Sequence, residues 1–305
     1  MEQVTYHLIE KDQDIGQRLD NYLIKTLKGV PKSRIYRIIR AGEVRVNKKR
    51  AKPDTRLQAQ DMVRIPPIRV SETTQEIRQV PLHLKKQLLD AIIYEDDALM
   101  VINKPSGIAV HGGSGLSFGV IEAYRQIKSE LSYLELVHRL DKETSGCLLL
   151  AKKSSLLKKL QAQWQVNQVQ KMYWAICENP WVGKQQTTVT ARLQKNILKS
   201  GERMVSVSQQ GKEAISHVHL VKNGQDDCWL KVFIDTGRTH QIRVHCAYLG
   251  HAVLGDEKYG KTPIHQKMPR LFLHAYQLKF EYQGKMQTFV APVDEVFQSK
   301  INTFV

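Results

Sequence analysis

Apolar positions along the first third of the chain change period twice. Leu19, Tyr22, Leu23 and Leu27 recur at helical spacing, and Gly29 stops the run. Pro31 and Ser33 open a second helix, with Ile35, Ile38 and Ile39 on one face and Arg34, Arg37 and Arg40 around the rest. Gly42 ends it, and Val44 and Val46 lead as a strand into the turn Asn47-Lys48-Lys49-Arg50. A short strand within residues 1–10 precedes all of this. Pro66-Pro67 closes the section. Residues 71–80 are polar and aperiodic, end before Pro81, and predict a linker. A short amphipathic segment over 82–89 follows.

The remaining pattern is richer in strands. Residues 92–102 predict two strands around an Asp96-Asp97 turn. Ser117 can cap a helix running to Ile127. Strand-like alternation over 134–140 leads to a short apolar, buried strand over 147–151, and a helix over 156–166 comes next. Residues 171–177 return as a strand with aromatic residues. Leu230, Val232 and Ile234 alternate as a strand that ends at Asp235-Thr236-Gly237-Arg238. Thr239 is a plausible cap for a helix to about Leu249, with Gly250 as its left-handed stop. Further strands are expected over 271–278 and 287–290. No repeat is visible. The pattern suits an α+β protein with a mixed, mainly antiparallel sheet better than a doubly wound parallel one. It predicts a small helical and hairpin module over 14–70, a linker over 71–90 and a larger domain over 91–305.

Charge changes this picture. Of the 305 residues, 46 are Lys or Arg and 30 Asp or Glu, a net charge of +16, which points to a polyanionic partner, nucleic acid ahead of a membrane surface. Between residues 32 and 52 nine Lys/Arg face one acid, Glu43, so about half the excess sits in one small piece. A basic helix feeding a basic hairpin is shaped to follow phosphates, and Lys32, Arg34, Arg37, Arg45, Lys48, Lys49 and Arg50 are the candidate RNA contacts. A merely solvated basic face is the alternative. With Arg18-Leu19-Asp20 starting the first helix, Pro31-Lys32-Ser33 the second and Gly42-Glu43-Val44-Arg45-Val46-Asn47 leaving it, the region resembles the small alpha-L-type RNA-binding module first described in a small-subunit ribosomal protein.

No apolar run approaches the roughly 20 residues of a spanning helix. The first residues show neither a basic leader nor a signal core. Cys147, Cys177, Cys228 and Cys246 are scattered without a Cys-x-x-Cys pair, which argues against a zinc knuckle or disulfide framework and for a reducing cytoplasm. The loop His111-Gly112-Gly113-Ser114-Gly115 lacks the ending of a phosphate loop, so it does not support nucleotide hydrolysis.

The densest chemistry lies in His138-Arg139-Leu140-Asp141-Lys142-Glu143-Thr144-Ser145-Gly146. Two carboxylates and two cations sit between a strand-like run and a buried apolar strand, with a Thr-Ser-Gly turn. One reading is a polar turn with solvated charges. The other is a reactive carboxylate, Asp141 or Glu143, placed for a negatively charged substrate. His138, His240 and His245 match no common zinc spacing, and neither an acid nor a Cys completes a set, so no metal site is expected.

Taken with Lys171-x-Tyr173 and Gly237-Arg238-Thr239-His240-Gln241-Ile242-Arg243-Val244-His245, that block resembles the signature blocks of the pseudouridine synthases, in the branch acting on large-subunit ribosomal RNA and some transfer RNAs. The likeness covers nearly the whole chain. It implies a cofactor-free isomerase that detaches uracil from its ribose, turns it, and rejoins it through ring carbon five. It also implies that Asp141 is the essential acid, since Glu143 stands where the family pattern tolerates change. Arg243 would pair with Asp141 and keep it ionised, and Tyr173 would stack on the loose uracil. Ile242 would wall the pocket. Arg139 would fill the space left by an extruded uridine or touch phosphate. The expected partner is large-subunit ribosomal RNA or its assembly intermediates, the default state a monomer. The competing expectations are a transfer-RNA synthase, a non-catalytic RNA-binding or ribosome-assembly protein, and an N-glycosidase using the same carboxylate.

Overall fold

The structure, a computed structural model, describes residues 3–27, 29–68, 79–112, 118–197 and 203–304. It divides into two compact units, Met1–Arg78 and Gln79–Val305. Most of the polar stretch at 71–80 and the loop at 113–117, with the expected Ser117 cap, lie outside the described residues.

In the first unit β1 (Thr5–Leu8) precedes α1 (Leu19–Thr26) and α2 (Lys32–Arg40); β2 (Arg45–Val46), β3 (Lys49–Arg50) and β4 (Met62–Ile65) complete it. The sheet order is β1-β4-β2-β3, all antiparallel. Strand side chains alternate between its two faces. Val63 and Ile65 pack with Leu19 and Leu23 of α1 and Ile35 and Ile39 of α2. The isoleucine stripe is thus the core face of α2, and Lys32, Arg37 and Arg40 are left toward solvent. Asn47 (φ 50°) and Lys48 (φ 66°) make a two-residue turn of the kind whose twist matches paired strands, and Asn is among the side chains that tolerate it best.

The second unit begins with α3 (Leu82–Asp90), β5 (Ile92–Glu95), β6 (Leu99–Lys104), α4 (Val120–Ile127), β7 (Glu135–Leu136) and β8 (Ser145–Ala151). Then come α5 (Ser154–Gln165), β9 (Gln170–Glu178), β10 (Gln186–Ile197), β11 (Arg203–Val207), β12 (Lys212–Asn223) and β13 (Asp227–Ile234). The chain closes with α6 (Gln241–Tyr248), α7 (Ile264–Lys267), β14 (Leu273–Tyr282), β15 (Lys285–Val290) and α8 (Glu295–Asn302). One large sheet runs β11-β10-β12-β13-β9-β14-β8-β6-β5, with β15 on β14 and β7 on β8; among the described residues only β14 and β8 pair in parallel. The fold is the expected α+β type with a mainly antiparallel sheet.

All seven residues of β8 are buried, because it lies between β14 and β6 with cores on both faces. That explains a run of leucines in place of alternation. Three details depart from the sequence reading. The amphipathic segment ahead of residue 92 is built into the second unit as α3: Leu88 is buried, and its carbonyl accepts from the Tyr124 hydroxyl at 2.5 Å. Of residues 134–140 only Glu135 and Leu136 pair as a strand. Thr239 does not cap α6; His240, at φ 54°, holds that position. Gly250 does stop that helix, at φ +85°.

Candidate active site

Asp141 sits in the loop between β7 and β8, and that loop is clamped from below. The Lys104 ammonium, fully buried, donates to the carbonyls of Pro105, Ile108 and Lys142 at 2.7, 2.8 and 3.0 Å. Burial draws its pKa down to about 7, but three carbonyl acceptors match the three hydrogens of a charged ammonium. The Ser106 hydroxyl donates to the Glu143 carbonyl at 2.6 Å, and the Gly107 N–H to that of Lys142 at 3.0 Å. Gly146 closes the loop at φ +112°; a Cβ there would collide with the Ala275 carbonyl, so only glycine allows β14 to pair beside it.

The block from Gly237 to Arg243 is organised by Gln241. Its side-chain oxygen accepts from the Thr236 hydroxyl at 2.8 Å and the Arg238 N–H at 3.0 Å, and its amide donates to the Ile215 carbonyl at 2.9 Å. No side chain caps α6; the carboxamide instead ties the residues ahead of the helix to β12.

These elements border an open hollow of about 90 Å³ lined by Asp141, Tyr173, Ile242, Arg243, Arg139 and His240, among others. Asp141 is the one carboxylate among its described lining residues. Tyr173 comes from β9, two strands from β8 across β14. Burial, and then the charge of Asp141, push its phenol pKa up, so the ring faces the cavity as a neutral aromatic plane. His240 Nε2 stands 4.0 Å from Asp141 Oδ2, and its Nδ1 is 2.7 Å from the Tyr259 hydroxyl. Burial lowers the pKa of this imidazole. Arg139 is exposed and lines the hollow where it opens into a wider groove with Lys171 and Trp164. Glu143 points elsewhere, into a surface pair with Lys142 at 3.5 Å.

One expectation is corrected. Arg243 is not hydrogen-bonded to Asp141; its guanidinium forms two 2.7 Å bonds with the buried carboxylate of Asp256. Burial alone would lower the Arg243 pKa, but Asp256 outweighs it and the net shift is upward, with Asp141 adding to it. A bidentate pair this tight fixes the guanidinium plane beside Asp141. Asp256 also accepts from the Lys258 and Tyr259 N–H groups at 3.0 and 3.1 Å. Nothing in the local sequence marks Asp256, since a carboxylate in a short polar stretch carries no signal of a partner 13 residues upstream.

The other two histidines of the motif blocks are engaged within the fold. His138 Nε2 accepts from the Leu149 N–H at 3.2 Å, and its ring stacks on Trp164. His245 Nδ1 is 2.9 Å from the Ser216 hydroxyl. The seven basic RNA-contact candidates all belong to the first unit. Lys32, Arg37, Arg45, Lys48, Lys49 and Arg50 are exposed there, whereas Arg34 is half-buried.

A carboxylate, an aromatic plane and a fixed guanidinium in one hollow of a mainly antiparallel sheet make a candidate site for a planar, anionic substrate unit. Residues 98–248 match the family described as RNA pseudouridylate synthase, and residues 17–63 match the S4 domain. The chain is 49% identical over 299 residues to ribosomal large subunit pseudouridine synthase C of Pasteurella multocida (strain Pm70), covering 96% of this chain and 91% of that protein. It is 50% identical over 293 residues to the protein of the same name from Escherichia coli (strain K12), covering 92% and 91%. Among solved structures, human RNA pseudouridylate synthase domain containing 4 shares the fold at TM-score 0.60 and 24% identity, over 73% of this chain and 95% of that one. The chain belongs to the RNA pseudouridylate synthase family, and is an isomerase that makes pseudouridine from uridine in RNA.

Proposed function

We propose that the chain converts specific uridines of large-subunit ribosomal RNA to pseudouridine, with Asp141 as the residue that acts on the extruded nucleotide. The observation that carries this reading is the single hollow whose lining brings together Asp141, Tyr173 and Arg243. The substrate class rests on the two relatives above, both named for the large ribosomal subunit.

The chemistry breaks the bond between ribose C1′ and uracil N1 and makes one between C1′ and C5. The C5 proton leaves and N1 regains one, so the product is an isomer. Each residue has a task in that sequence. Arg139, at the mouth, takes the space of the extruded uridine, which lowers the few kcal/mol that unstacking demands. Tyr173 and Ile242 hold the detached base between an aromatic plane and an aliphatic wall while it turns. Arg243 lies near enough to stabilise the Asp141 carboxylate against the desolvation that a bound base imposes. Asp256 is a positioning residue: it holds that guanidinium in plane. The first unit, with its exposed cations, grips the surrounding RNA. The enzyme acts as a single chain in the cytoplasm, on ribosomal RNA or its assembly intermediates; its four cysteines are all free and buried.

The test is a pseudouridine map of total RNA from cells whose only copy carries Asp141→Asn. Sites present with the wild-type gene should vanish from large-subunit RNA, with in vitro turnover down by about 10²–10⁴-fold or more. Persistence of those sites would refute the assignment. Sites lost from transfer RNA instead would move the substrate class, and release of free uracil would make the enzyme a glycosidase.

A further inference from the structure

The four-stranded sheet of the first unit has a second face. Its core face carries Val46, Val63 and Ile65 against the two helices. The opposite face bears a row that crosses all four strands in register: Tyr6 opposite Arg64, Arg64 opposite Arg45, Arg45 opposite Arg50. At about 4.8 Å per strand step this row spans roughly 14 Å. Alongside it, Leu8 stands opposite Met62. Tyr6 is 63% exposed, Leu8 41% and Met62 38%, which is unusual for one contiguous apolar group on a small domain.

The arginines of the row are held, not loose. Arg64 Nη1 donates to the Glu43 carbonyl at 2.6 Å. Arg45 donates to the carbonyls of Gly42 and Lys48, both at 3.3 Å, and Arg50 to that of Ala41, also at 3.3 Å. These bonds use main-chain acceptors, so the positive charges are not neutralised, and each guanidinium keeps further N–H groups for a ligand. A flat aromatic ring and a thioether stem beside a line of fixed cations match one ligand chemistry, an unpaired nucleotide strand: base on the ring, phosphates along the cations.

We infer that this open sheet face is a second RNA-binding surface, which takes a single-stranded segment with a base stacked on Tyr6 and Met62 and its phosphates on Arg64, Arg45 and Arg50. It is separate from the basic outer face of α2, because the core of the unit lies between the two; of the RNA-contact candidates named above, Arg45 and Arg50 belong to this sheet face and not to that of the helix. The inference deepens the proposal that the substrate is RNA, by assigning the unpaired part of that RNA to a defined surface.

The experiment measures affinity of the full-length chain for a fluorescent single-stranded oligonucleotide and for a fully paired RNA hairpin, across a salt series. All proteins carry Asp141→Asn, so no turnover enters. Tyr6→Leu should weaken the single strand about five- to a hundredfold with an unchanged salt slope, and leave the hairpin unaffected. Tyr6→Phe should retain wild-type affinity. Arg64→Gln should weaken single-strand binding and reduce the slope of log K against log salt by about 0.7. Tyr6 is exposed enough that its replacement spares the core, which an unchanged melting temperature verifies. Wild-type affinity of Tyr6→Leu for the single strand overturns the inference. So does a chain that binds no RNA, whereas loss of pseudouridine formation in Asp141→Asn cells bears only on the isomerase. If Tyr6→Leu instead loses association with ribosomal proteins while its RNA affinity holds, the face belongs to a protein partner and the inference fails.

Discussion

The two units treat charge in opposite ways. In the first, the described cations stand mostly in water around an apolar core, and the charged residues brought inside are Asp14 and Asp20. Asp20 is held by Arg18, whose guanidinium bonds at 2.7 and 3.1 Å lower its pKa. In the second, Lys104, Lys171, Arg243, Asp227 and Asp256 are buried together with several histidines. The contrast follows from the tasks. Gripping a phosphate chain works through solvated cations that exchange counterions, so they need exposure more than fixed geometry. Acting on one sugar–base bond needs groups stripped of water and held in place, which the fold can tolerate only by pairing each one.

Acid should separate the units most strongly. His245 and His274 are almost fully buried, and burial holds each near a pKa of about 4. For His274 the network agrees: Nε2 lies 2.9 Å from the Ala291 carbonyl, so it carries the proton, and Nδ1 lies 2.7 Å from the Ser145 hydroxyl. The unfolded chain binds a proton at each near pH 6.5, the folded chain only near 4. Stability is therefore full above about 6.5 and is lost as pH falls toward 4, by on the order of 3 kcal/mol for each histidine. Asp20, with its lowered pKa, gives up its contribution only below the ordinary carboxylate range. Urea melts at pH 7.5 and 4.5, followed by hydrogen exchange in each unit, should show the second unit losing its advantage first. A common shift in both units would break the comparison.

The Arg243–Asp256 pair is the next lever. Asp256→Ala strands a buried guanidinium and should destabilise the second unit by about 3–5 kcal/mol, leaving the first unit's transition in place. Asp256→Asn keeps the shape and one acceptor, and should fold. If Asp256 positions Arg243, the Asn variant lowers kcat more than it raises KM for RNA. A variant with wild-type kcat would make the pair structural alone.

What could be read from the chain divides along the same line. Elements whose burial has one face announced themselves by period: α1, α2 and the β5–β6 hairpin stand where the spacing put them. The loop that carries Asp141 stood out as a compact polar knot against a leucine run, but the choice of Asp141 over Glu143 came from the family resemblance and not from the pattern. Its surroundings were less legible. Asp256 supplies the partner of Arg243 through a tertiary fold-back that no local spacing encodes, and the Gln241 amide ties the start of α6 to β12, a contact visible only once the sheet exists. The open sheet face escaped notice for a related reason: Tyr6 and Arg64 are 58 residues apart in sequence and become neighbours only through strand register.

The smallest effects should come from the exposed cations themselves. Arg37 on α2 and Lys49 in the hairpin are exposed, and their removal leaves no buried group unpaired. Arg37→Gln and Lys49→Gln should each change stability by no more than about 0.5 kcal/mol. Each should flatten the dependence of log K on log salt by up to about 0.9 on paired RNA, because one phosphate contact releases about that many counterions. Affinity should fall alike for every RNA sequence, while turnover at saturating substrate stays as it was. A substitution here that changed which uridine is modified would mean that the first unit reads sequence, and the division into a solvated grip and a desolvated site would no longer hold.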